Sequence, residues 1–386
     1  MGNKLHFVNS ITSEWNAVEL RNVATIKKGD QINASRLTES GKYYVLNGGI
    51  VPSGYYSEYN TDENTISISE GGNSCGYVNL NKEKFWSGGH NYTLKNVQIN
   101  TNYLYSYLKS IEAFIMSKRV GSGLPNIQKT SLQNIIVRFP KSEETQESIG
   151  SFFTLFDTLV EETEAKLLSL HKLYTACIQS LLPTLDETTP KVRFSGFVSQ
   201  WKKVRLSEIF VERHESSTIT PDLPQLSFTI ADGVIRPEDR KSNQRDFLIK
   251  DKDNKRYLVT RVGDIIYNPA NVVYGAIHRN SLIDGVVSPI YRIFSTEQDS
   301  RFMECVVRRP SFISQLAMRT EGTVTKLKTL KPEAFLDMTV CIPTDLEEQK
   351  MIGEYFRNLD SQITLQTQRL EKLKQIKSAC LDNMFV

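Results

Sequence analysis

Two short motifs in this 386-residue chain resemble parts of catalytic sites. Asn268-Pro269-Ala270-Asn271 resembles the N-P-P-aromatic element of amino-methyltransferases, but it lacks the second proline and the ring that would stack on a flipped base. Pro221-Asp222 with Asp253 and Lys255 is similar to the carboxylate–lysine pattern of metal-dependent nucleases. Such a pattern needs rigid strand positions to hold a cation, whereas residues 251–255 are typical of a hairpin turn. Both patterns are incomplete, so the sequence predicts no catalytic residue.

Cofactor and metal sites also lack a motif. The chain has no G-x-x-x-x-G-K-S/T phosphate-binding loop, and its five histidines show no H-E-x-x-H or other ligand spacing. The five cysteines are far apart and form no CxxC pair, which argues against a zinc site and against a disulfide framework. No N-terminal signal pattern is visible, and no apolar run approaches the ~18 residues of a membrane span. We therefore expect a cytoplasmic protein without cofactor, metal or membrane contact.

The bulk composition permits nucleic-acid binding without requiring it. Hydrophobic residues make up 39% and charged residues 24% of the chain, which is ordinary for a globular protein. The net charge of +3 is only weakly basic, although residues 236–261 hold nine Lys or Arg against five Asp or Glu. At about 150 residues per domain, the length predicts two or three domains.

Two regions, 15–140 and 201–343, have the pattern of short strands. In segments 42–46, 65–69, 256–260 and 264–267, β-branched and aromatic residues alternate with polar ones, and Gly or Asn marks the turns. Helical stretches from Asn102 to Lys118 and from Ser300 to Arg319 interrupt them. Each region is therefore expected to be α+β.

A long amphipathic helix should follow each of these regions. Apolar residues then recur at three- and four-residue steps, which is the spacing of a coiled-coil seam. They are Ile149, Phe152, Phe156, Leu159, Leu167, Leu170, Tyr174, Cys177 and Leu181 in the first helix, and Ile352, Phe356, Leu359, Ile363, Leu370, Leu373, Ile376 and Cys380 in the second. A lone helix of about 38 residues cannot bury such a stripe. The two helices therefore most simply pair with each other.

The two halves of the chain repeat each other. Trp15-Asn-Ala-Val-Glu-Leu20 has its counterpart in Trp201-Lys-Lys-Val-Arg-Leu206, 186 residues later. At each helix start, a proline, acidic residues, a glutamine, an Ile-Gly pair, a phenylalanine and an aspartate recur 203 residues apart, for example Pro140 and Pro343, Gln146 and Gln349, Gly150 and Gly353, and Asp157 and Asp360. The halves thus share their ends and differ in their middles, and the sequence predicts a duplicated module.

This duplicated set of markers resembles the specificity subunit of type I restriction–modification systems, and the resemblance covers nearly the whole chain. It implies two tandem α+β target-recognition domains, with two long helices packed as an antiparallel coiled coil and related by a pseudo-twofold repeat. The expected boundaries are 1–142 for the first recognition domain, 143–183 for the central spacer helix, 184–200 for a linker, 201–344 for the second recognition domain and 345–386 for the C-terminal spacer helix. The tandem four-residue repeats that some members carry in the central helix are not visible here, which leaves the DNA spacer length open.

The resemblance also implies a division of labour. Each recognition domain would bind one half of a bipartite site in double-stranded DNA. Methyltransferase (modification) subunits, expected to number two, and restriction/translocase subunits would supply the chemistry, and this chain would be non-catalytic. Two alternatives stay open, a structural coiled-coil adaptor and a self-contained restriction endonuclease. The divergent loops of the two halves argue against the adaptor, and the missing catalytic motifs argue against the endonuclease. Neighbouring methyltransferase and helicase-nuclease genes would favour the specificity subunit over both alternatives.

Loops rich in glycine, basic and amide side chains are the candidates for DNA contact, because such side chains bind base edges and phosphates. The favoured loops are 70–74, 82–86, 88–91 and 119–126 in the first half and 236–245, 268–274, 278–279 and 319–328 in the second. The candidate residues are Gly72, Asn73, Ser74, Lys82, Lys84, His90, Asn91, Arg119, Ser122 and Asn126, followed by Arg236, Arg240, Lys241, Arg245, Asn271, Tyr274, His278, Arg279, Arg319 and Lys326. For each of these residues a solvated loop or turn is the alternative.

Four further residues have predicted structural roles. Trp15 and Trp201, each just before a first strand, are expected to anchor a core. Thr163 and Gln366 interrupt the apolar seams at equivalent positions and are expected to meet at the middle of an antiparallel helix pair, where a polar layer would fix its register. The alternative is that both side chains are simply exposed.

Overall fold

The structure is a computed structural model that describes residues 14–121, 123, 125–184, 187–240, 255–321 and 328–385. The chain divides into two compact units. The first comprises Met1–Ala165 with Thr367–Val386, and the second comprises Lys166–Gln366. The expected hairpin turn at 251–255 lies almost wholly outside the described residues.

The first unit is built from short antiparallel sheets and helices. Its strands are β1 (Trp15–Glu19), β2 (Thr25–Lys28), β3 (Tyr43–Leu46), β4 (Gly54–Tyr56), β5 (Thr65–Ser69), β6 (Val78–Asn81), β7 (Trp86–Ser87), β8 (Asn91–Lys95) and β9 (Ile136–Pro140). Its shorter helices are α1 (Thr101–Ser110), α2 (Glu112–Ser117) and α3 (Lys129–Gln133), and α4 (Glu143–Leu181) begins in it. The sheets have the orders β2-β8-β5-β6, β4-β3-β7 and β1-β9, and β3 and β7 are parallel. Ile66, Ile68 and Leu94 of the first sheet share a core with Tyr103 and Leu104 of α1.

The second unit has a closely related architecture. Its strands are β10 (Trp201–Arg205), β11 (Val211–Glu212), β12 (Ser216–Ser217), β13 (Ser227–Thr229), β14 (Gly233–Ile235), β15 (Tyr257–Thr260), β16 (Ile265–Tyr267), β17 (Ile277–Arg279), β18 (Gly285–Val287), β19 (Arg292–Ser295) and β20 (Thr339–Pro343). Its helices are α5 (Leu206–Ile209), α6 (Ser300–Arg308), α7 (Pro310–Met318), α8 (Pro332–Leu336) and the start of α9 (Leu346–Met384). The sheets have the orders β11-β19-β16-β17, β12-β15-β18, β10-β20 and β13-β14.

The predicted duplication is present in the fold. The order β2-β8-β5-β6 in the first unit matches β11-β19-β16-β17 in the second. Trp15 pairs with Pro140 in β1-β9, and Trp201 pairs with Pro343 in β10-β20. Trp201 is buried in its core as expected, whereas Trp15 is only half-buried against the core of its own unit.

Each predicted medium-length helical stretch is in fact two helices. Between α6 and α7, Pro310 cannot donate a backbone hydrogen bond, and Arg309 before it is extended, with φ −61° and ψ 142°. Between α1 and α2, Ile111 leaves helical geometry, and the Glu112 carboxylate accepts hydrogen bonds from the Val78 amide and from Lys109. The single helices over 102–118 and 300–319 are therefore corrected to two short helices each.

The long helices run in opposite directions within each unit. In the first unit, Asp157 of α4 pairs with Lys377 of α9, and Glu164 lies 2.6 Å from Lys374, so rising positions in α4 meet falling positions in α9. In the second unit, Tyr174 packs against Phe356 with ring centroids 5.3 Å apart, and the Cys177 sulfur lies 3.4 Å from the hydroxyl of Tyr355. Both units therefore contain an antiparallel helix pair.

Two predicted seam positions are wrong. Phe152 is 38% exposed and Ile376 is 40% exposed, whereas Phe153 is buried against the ring of Phe385. In its first turns α4 packs against the globular core, so the buried face shifts by one residue, from Phe152 to Phe153. Among the described residues, no helix is long and apolar enough to cross a membrane.

Candidate nucleic-acid interface

The start of each long helix fixes the globular part of its unit. In the first unit, the Gln146 amide donates to the carbonyl of Pro140 and accepts from the backbone of Asn100, at 2.8 and 3.0 Å. Gln349 makes the same two bonds, to Pro343 and from Asp299, at 2.9 and 3.0 Å. Each glutamine thus joins the end of β9 or β20 to the N-cap of α1 or α6. These bonds hold the strand and the short helix at the start of the long helix.

Close packing explains why a glycine lies four residues after each glutamine. A Cβ on Gly150 would lie 2.8 Å from the Tyr103 nitrogen, and one on Gly353 would lie 2.7 Å from the Phe302 nitrogen. Both distances are shorter than real Cβ contacts allow, so the first turn of α1 or α6 needs glycine beneath it. The glutamine and glycine of the repeat therefore have structural roles.

In the first unit, three of the four predicted loops converge on one open cleft of about 560 Å³. Gly72 and Ser74 come from the loop after β5, His90 from the turn before β8, and Asn126 from the segment before α3. Backbone bonds hold them together: the Gly72 amide donates to Pro125 at 2.9 Å, and the Glu70 amide donates to His90 at 2.9 Å. The cleft therefore gathers residues that are distant in sequence.

The Glu70 carboxylate is the best-held group in this cleft. It accepts hydrogen bonds from Lys28 at 2.6 Å and from the Tyr92 hydroxyl at 3.0 Å, and the His90 Nδ1 lies 3.4 Å away. Burial raises the pKa of Glu70, but the bonds from Lys28, Tyr92 and His90 outweigh that effect and hold the pKa below its usual value. Glu70 is therefore ionised and oriented at neutral pH.

Sequence reasoning missed two side chains of the cleft, Lys28 and Asn47. Lys28 ends β2, and Asn47 follows β3 and accepts from the His90 amide at 3.0 Å. Gly29 follows Lys28 and Gly48-Gly49 follow Asn47, but neither segment was among the predicted loops. The sheet order brings both side chains beside Glu70. The Asn47-Gly48-Gly49 segment carries the same glycine and amide signal as the predicted loops and could have been found, whereas Lys28 depends on strand pairing.

The other candidates of the first unit lie outside the cleft or are buried. Asn73 and Arg119 are exposed, Lys82 forms a 2.7 Å ion pair with Glu161 of α4, and Lys84 lies over the Tyr59 ring. The prediction for Asn91 is corrected. Its side chain is 3% exposed and donates through Nδ2 to the Ser87 hydroxyl, so it is not accessible to DNA. Ser122 lies outside the described residues.

In the second unit, the loop between β16 and β17 carries an exposed candidate. Tyr274 is 73% exposed, and Asn271 precedes it in a turn shaped by the Asn268 side chain, which accepts from the Ala270 amide at 3.0 Å. Arg236 and Arg240 are also exposed, and Arg319 pairs with Asp337 at 3.1 Å. Lys241, Arg245 and Lys326 lie outside the described residues.

His278 and Arg279 are corrections as well. The His278 ring is 4% exposed, and its Nε2 lies 2.9 Å from the Ile230 carbonyl oxygen. Burial, and to a smaller extent the positive charge of Arg308, lowers the pKa of His278 to about 4. The Arg279 side chain is 12% exposed and lies 3.6 Å from Glu304. Both side chains belong to the packing of β17 rather than to an open surface.

The loops after β5 and β16 occupy equivalent places. The Ile127 amide donates to the Glu70 carbonyl at 2.8 Å, and the Leu330 amide donates to the Pro269 carbonyl at 3.0 Å. One backbone position thus carries a carboxylate in the first unit and a proline in the second.

Among the described residues, no group of three or more His, Cys, Asp or Glu side chains could hold a metal ion.

Comparison with known families identifies the class of this duplicated fold. The family model of the type I restriction modification DNA specificity domain matches residues 12–171 and again residues 198–375. These two matches cover most of the chain. The protein therefore belongs to the type I restriction–modification DNA specificity family and carries its domain twice.

Two relatives from Mycoplasma species carry names that assign them to the type I specificity subunits. The chain is 30% identical over 211 residues to one from Mycoplasma genitalium, which is 54% of each protein. It is 35% identical over 174 residues to one from Mycoplasma pneumoniae, which is 42% of this chain and 46% of that protein. The chain thus spans about half the length of these two relatives.

Two further comparisons span most of the chain. The specificity subunit of a type I restriction enzyme from Methanocaldococcus jannaschii is 22% identical over 343 residues, 83% of this chain and 78% of that protein. A crystal structure of the S subunit of a type I restriction–modification system from M. genitalium matches 100% of this chain and 99% of its own, with a TM-score of 0.71 and 19% identity. The last comparison shows a shared fold.

Proposed function

We propose that this protein is the DNA sequence-recognition subunit of a type I restriction–modification complex. Each unit would bind one half of a bipartite site in double-stranded DNA. The observation that carries the proposal is the pair of units with one sheet order and different loop chemistry, in a chain of the specificity family. Duplicated scaffolds with divergent loops suit a protein that must recognise two different short sequences.

The loops offer both kinds of contact that sequence recognition needs. Exposed Arg119, Arg236 and Arg240 are suited to phosphates, which fix the position of the protein on the duplex. Asn126 at the first cleft and Asn271 in the second loop are suited to base edges, because an amide can donate and accept at the same time. Tyr274, exposed beside Asn271, offers an aromatic surface for a sugar or base.

We propose the division into recognition domains 1–142 and 201–344, spacer helices 143–183 and 345–386, and a linker at 184–200. The helices would set the distance between the two half-sites. They would also dock the two modification subunits and the restriction/translocase subunits.

The chain itself would be non-catalytic and cytoplasmic. Adenine methylation and DNA cleavage would then belong to the partner subunits, which bring the cofactors for those reactions. Purified chain free of partner subunits is expected to show no methyltransferase, nuclease or ATPase turnover.

Methylome sequencing of a host that expresses the complete system tests this proposal. The expected result is one bipartite motif with two specified halves and a fixed spacer, which disappears when this chain is deleted. A continuous motif, or methylation that persists without the chain, would overturn the proposal.

A further inference from the structure

Glu70 is the one carboxylate among the described residues that line the first cleft. Its side chain is 13% exposed, so it is largely removed from solvent but still accessible from the cleft. A surface that binds DNA faces phosphates, which a carboxylate repels. Lys28, Tyr92 and His90 already stabilise the carboxylate, and any partner that DNA adds must be a hydrogen-bond donor.

We infer that Glu70 is a specificity-determining residue that accepts a hydrogen bond from the exocyclic amino group of a cytosine in the half-site bound by the first unit. This inference rests on the proposed function. An ionised carboxylate can only accept, and the N4 amino group of cytosine is the donor that Glu and Asp contact in the major groove. Adenine is a poorer match, because its N7 acceptor lies beside the N6 amino group.

The contacts of Glu70 suit this role. Lys28 and the Tyr92 hydroxyl both donate to the Oε1 atom, at 2.6 and 3.0 Å. Among the described residues, the Oε2 atom has only the His90 nitrogen, at 3.4 Å. One oxygen is thus anchored and the other keeps capacity to accept. A carboxylate fixed in this way loses little side-chain entropy when a base binds.

The comparison of the two units supports the same residue. At the equivalent backbone position the second unit has Pro269, which offers neither charge nor a side-chain acceptor. Two units that share a scaffold and bind different half-sites must differ at the positions that contact bases. Position 70 is such a difference, and it lies in the cleft where the loops of the first unit meet.

The test is a binding selection from a randomised duplex library, with the complete complex assembled around wild-type or E70Q chain. The wild-type motif should contain a cytosine in one half-site. In E70Q the amide oxygen should stay with the donors Lys28 and Tyr92, which places the NH2 group, a donor, where Oε2 faces the base. E70Q should therefore lower the preference for that cytosine by about 5- to 150-fold, the range expected for losing one base contact of ~1–3 kcal/mol, and should leave every other position unchanged. E39Q, which removes an exposed carboxylate of the same unit outside the cleft, is the matched control and should leave the motif intact.

Two further variants separate base contact from a purely structural role. K28M removes a cation and one of the two donors that anchor Oε1, so it should lower affinity for all sequences and relax the cytosine position less than E70Q does. E70D, which withdraws the carboxylate by one methylene group, should relax the same position as E70Q. If K28M and E70Q relax the same position equally, Glu70 only positions Lys28 and the inference is wrong. If the wild-type motif is bipartite but E70Q leaves it unchanged, the inference fails and the proposed function stands. If the wild-type complex selects no motif, both fail.

Discussion

Burial determines what single polar residues can do in this protein. His278, which the sequence presents as a turn residue, is enclosed beneath the β13-β14 hairpin, where a Cβ added to Gly233 would lie 2.7 Å from its side chain. The ring is neutral in the folded protein, because burial lowers its pKa to about 4. Protonation of His278 therefore opposes folding of the second unit.

Mild acid should destabilise the protein through His278. An unfolded histidine titrates near pH 6.5, so the stability from the neutral ring is complete above about pH 6.5 and is lost as the pH falls towards 4. Between pH 7 and pH 5 the free energy of unfolding should fall by about 2 kcal/mol from this residue. Urea titrations at both pH values measure it. H278Q should flatten the difference, and H214Q, at a side chain that is 76% exposed, should not. Equal pH dependence in wild type and H278Q would contradict this interpretation.

A second prediction compares a buried ion pair with an exposed one. Glu348 is 0% exposed, and both of its oxygens accept from Arg193, at 2.6 and 2.7 Å. R193M strands a buried carboxylate and should cost about 3–5 kcal/mol of unfolding free energy. R357M breaks an exposed 2.7 Å pair with Glu354 and should cost less than ~1 kcal/mol. Chemical denaturation of both variants measures the difference, and similar costs would show that Glu348 is stabilised by other groups.

At the scale of elements, the end of each long helix completes a globular core. Leu181 at the end of α4 and Leu182 just after it are buried in the core of the second unit. In the first unit, Phe385 at the end of α9 packs on Tyr103, Tyr107 and Phe153, with ring centroids 5.5–5.7 Å apart. The first unit thus depends on a segment that is far away in sequence.

Truncating the ring of Phe385 should destabilise the first unit. F385A removes three aromatic contacts from the core and should cost about 3 kcal/mol. F114A removes a phenylalanine of the same unit that is 50% exposed and should cost less than ~1 kcal/mol. Thermal unfolding of the two variants measures both effects. If F385A behaves like F114A, the end of α9 does not contribute to the first core.

The register of the long helices remains a prediction from the repeat. Thr163 is 4% exposed and its hydroxyl donates to the Leu159 carbonyl, while the Gln366 Oε1 is buried without a hydrogen-bond partner among the described residues. If these residues face each other, the double variant T163V/Q366L should differ from the sum of the single variants by more than ~0.5 kcal/mol in unfolding free energy. Denaturation of all four proteins completes the cycle. Additive effects would mean that the two positions are apart.

Much of the element level was predictable because it depends on local pattern. The alternation in residues 65–69 predicted β5, and the apolar repeat predicted α4 and α9 within one or two residues. The cleft was only partly predictable. Glycine signals found its loops, but Lys28 reaches it through long-range strand pairing. Asn91 and His278 are residue types that often occur in loops. Their burial depends on long-range packing, which no local pattern in the sequence encodes.

At the scale of the whole molecule, the central claim is that two separate units each recognise one half of a DNA site. The first unit can be exchanged with the least disturbance at residues 15–140, because β1 pairs with β9 and closes that segment on itself. The graft must keep Asn100, Tyr103 and Tyr107, which contact Gln146, Gly150 and Phe385. The spacer helices then keep their own contacts.

Exchange of residues 15–140 for the corresponding segment of a related specificity subunit, followed by methylome sequencing of cells with the complete system, tests this claim most directly. Our proposal predicts that one half of the methylated motif changes to that of the donor, while the other half and the spacer length stay the same. A motif in which both halves change together, or in which neither half changes in cells that still methylate their DNA, would contradict it.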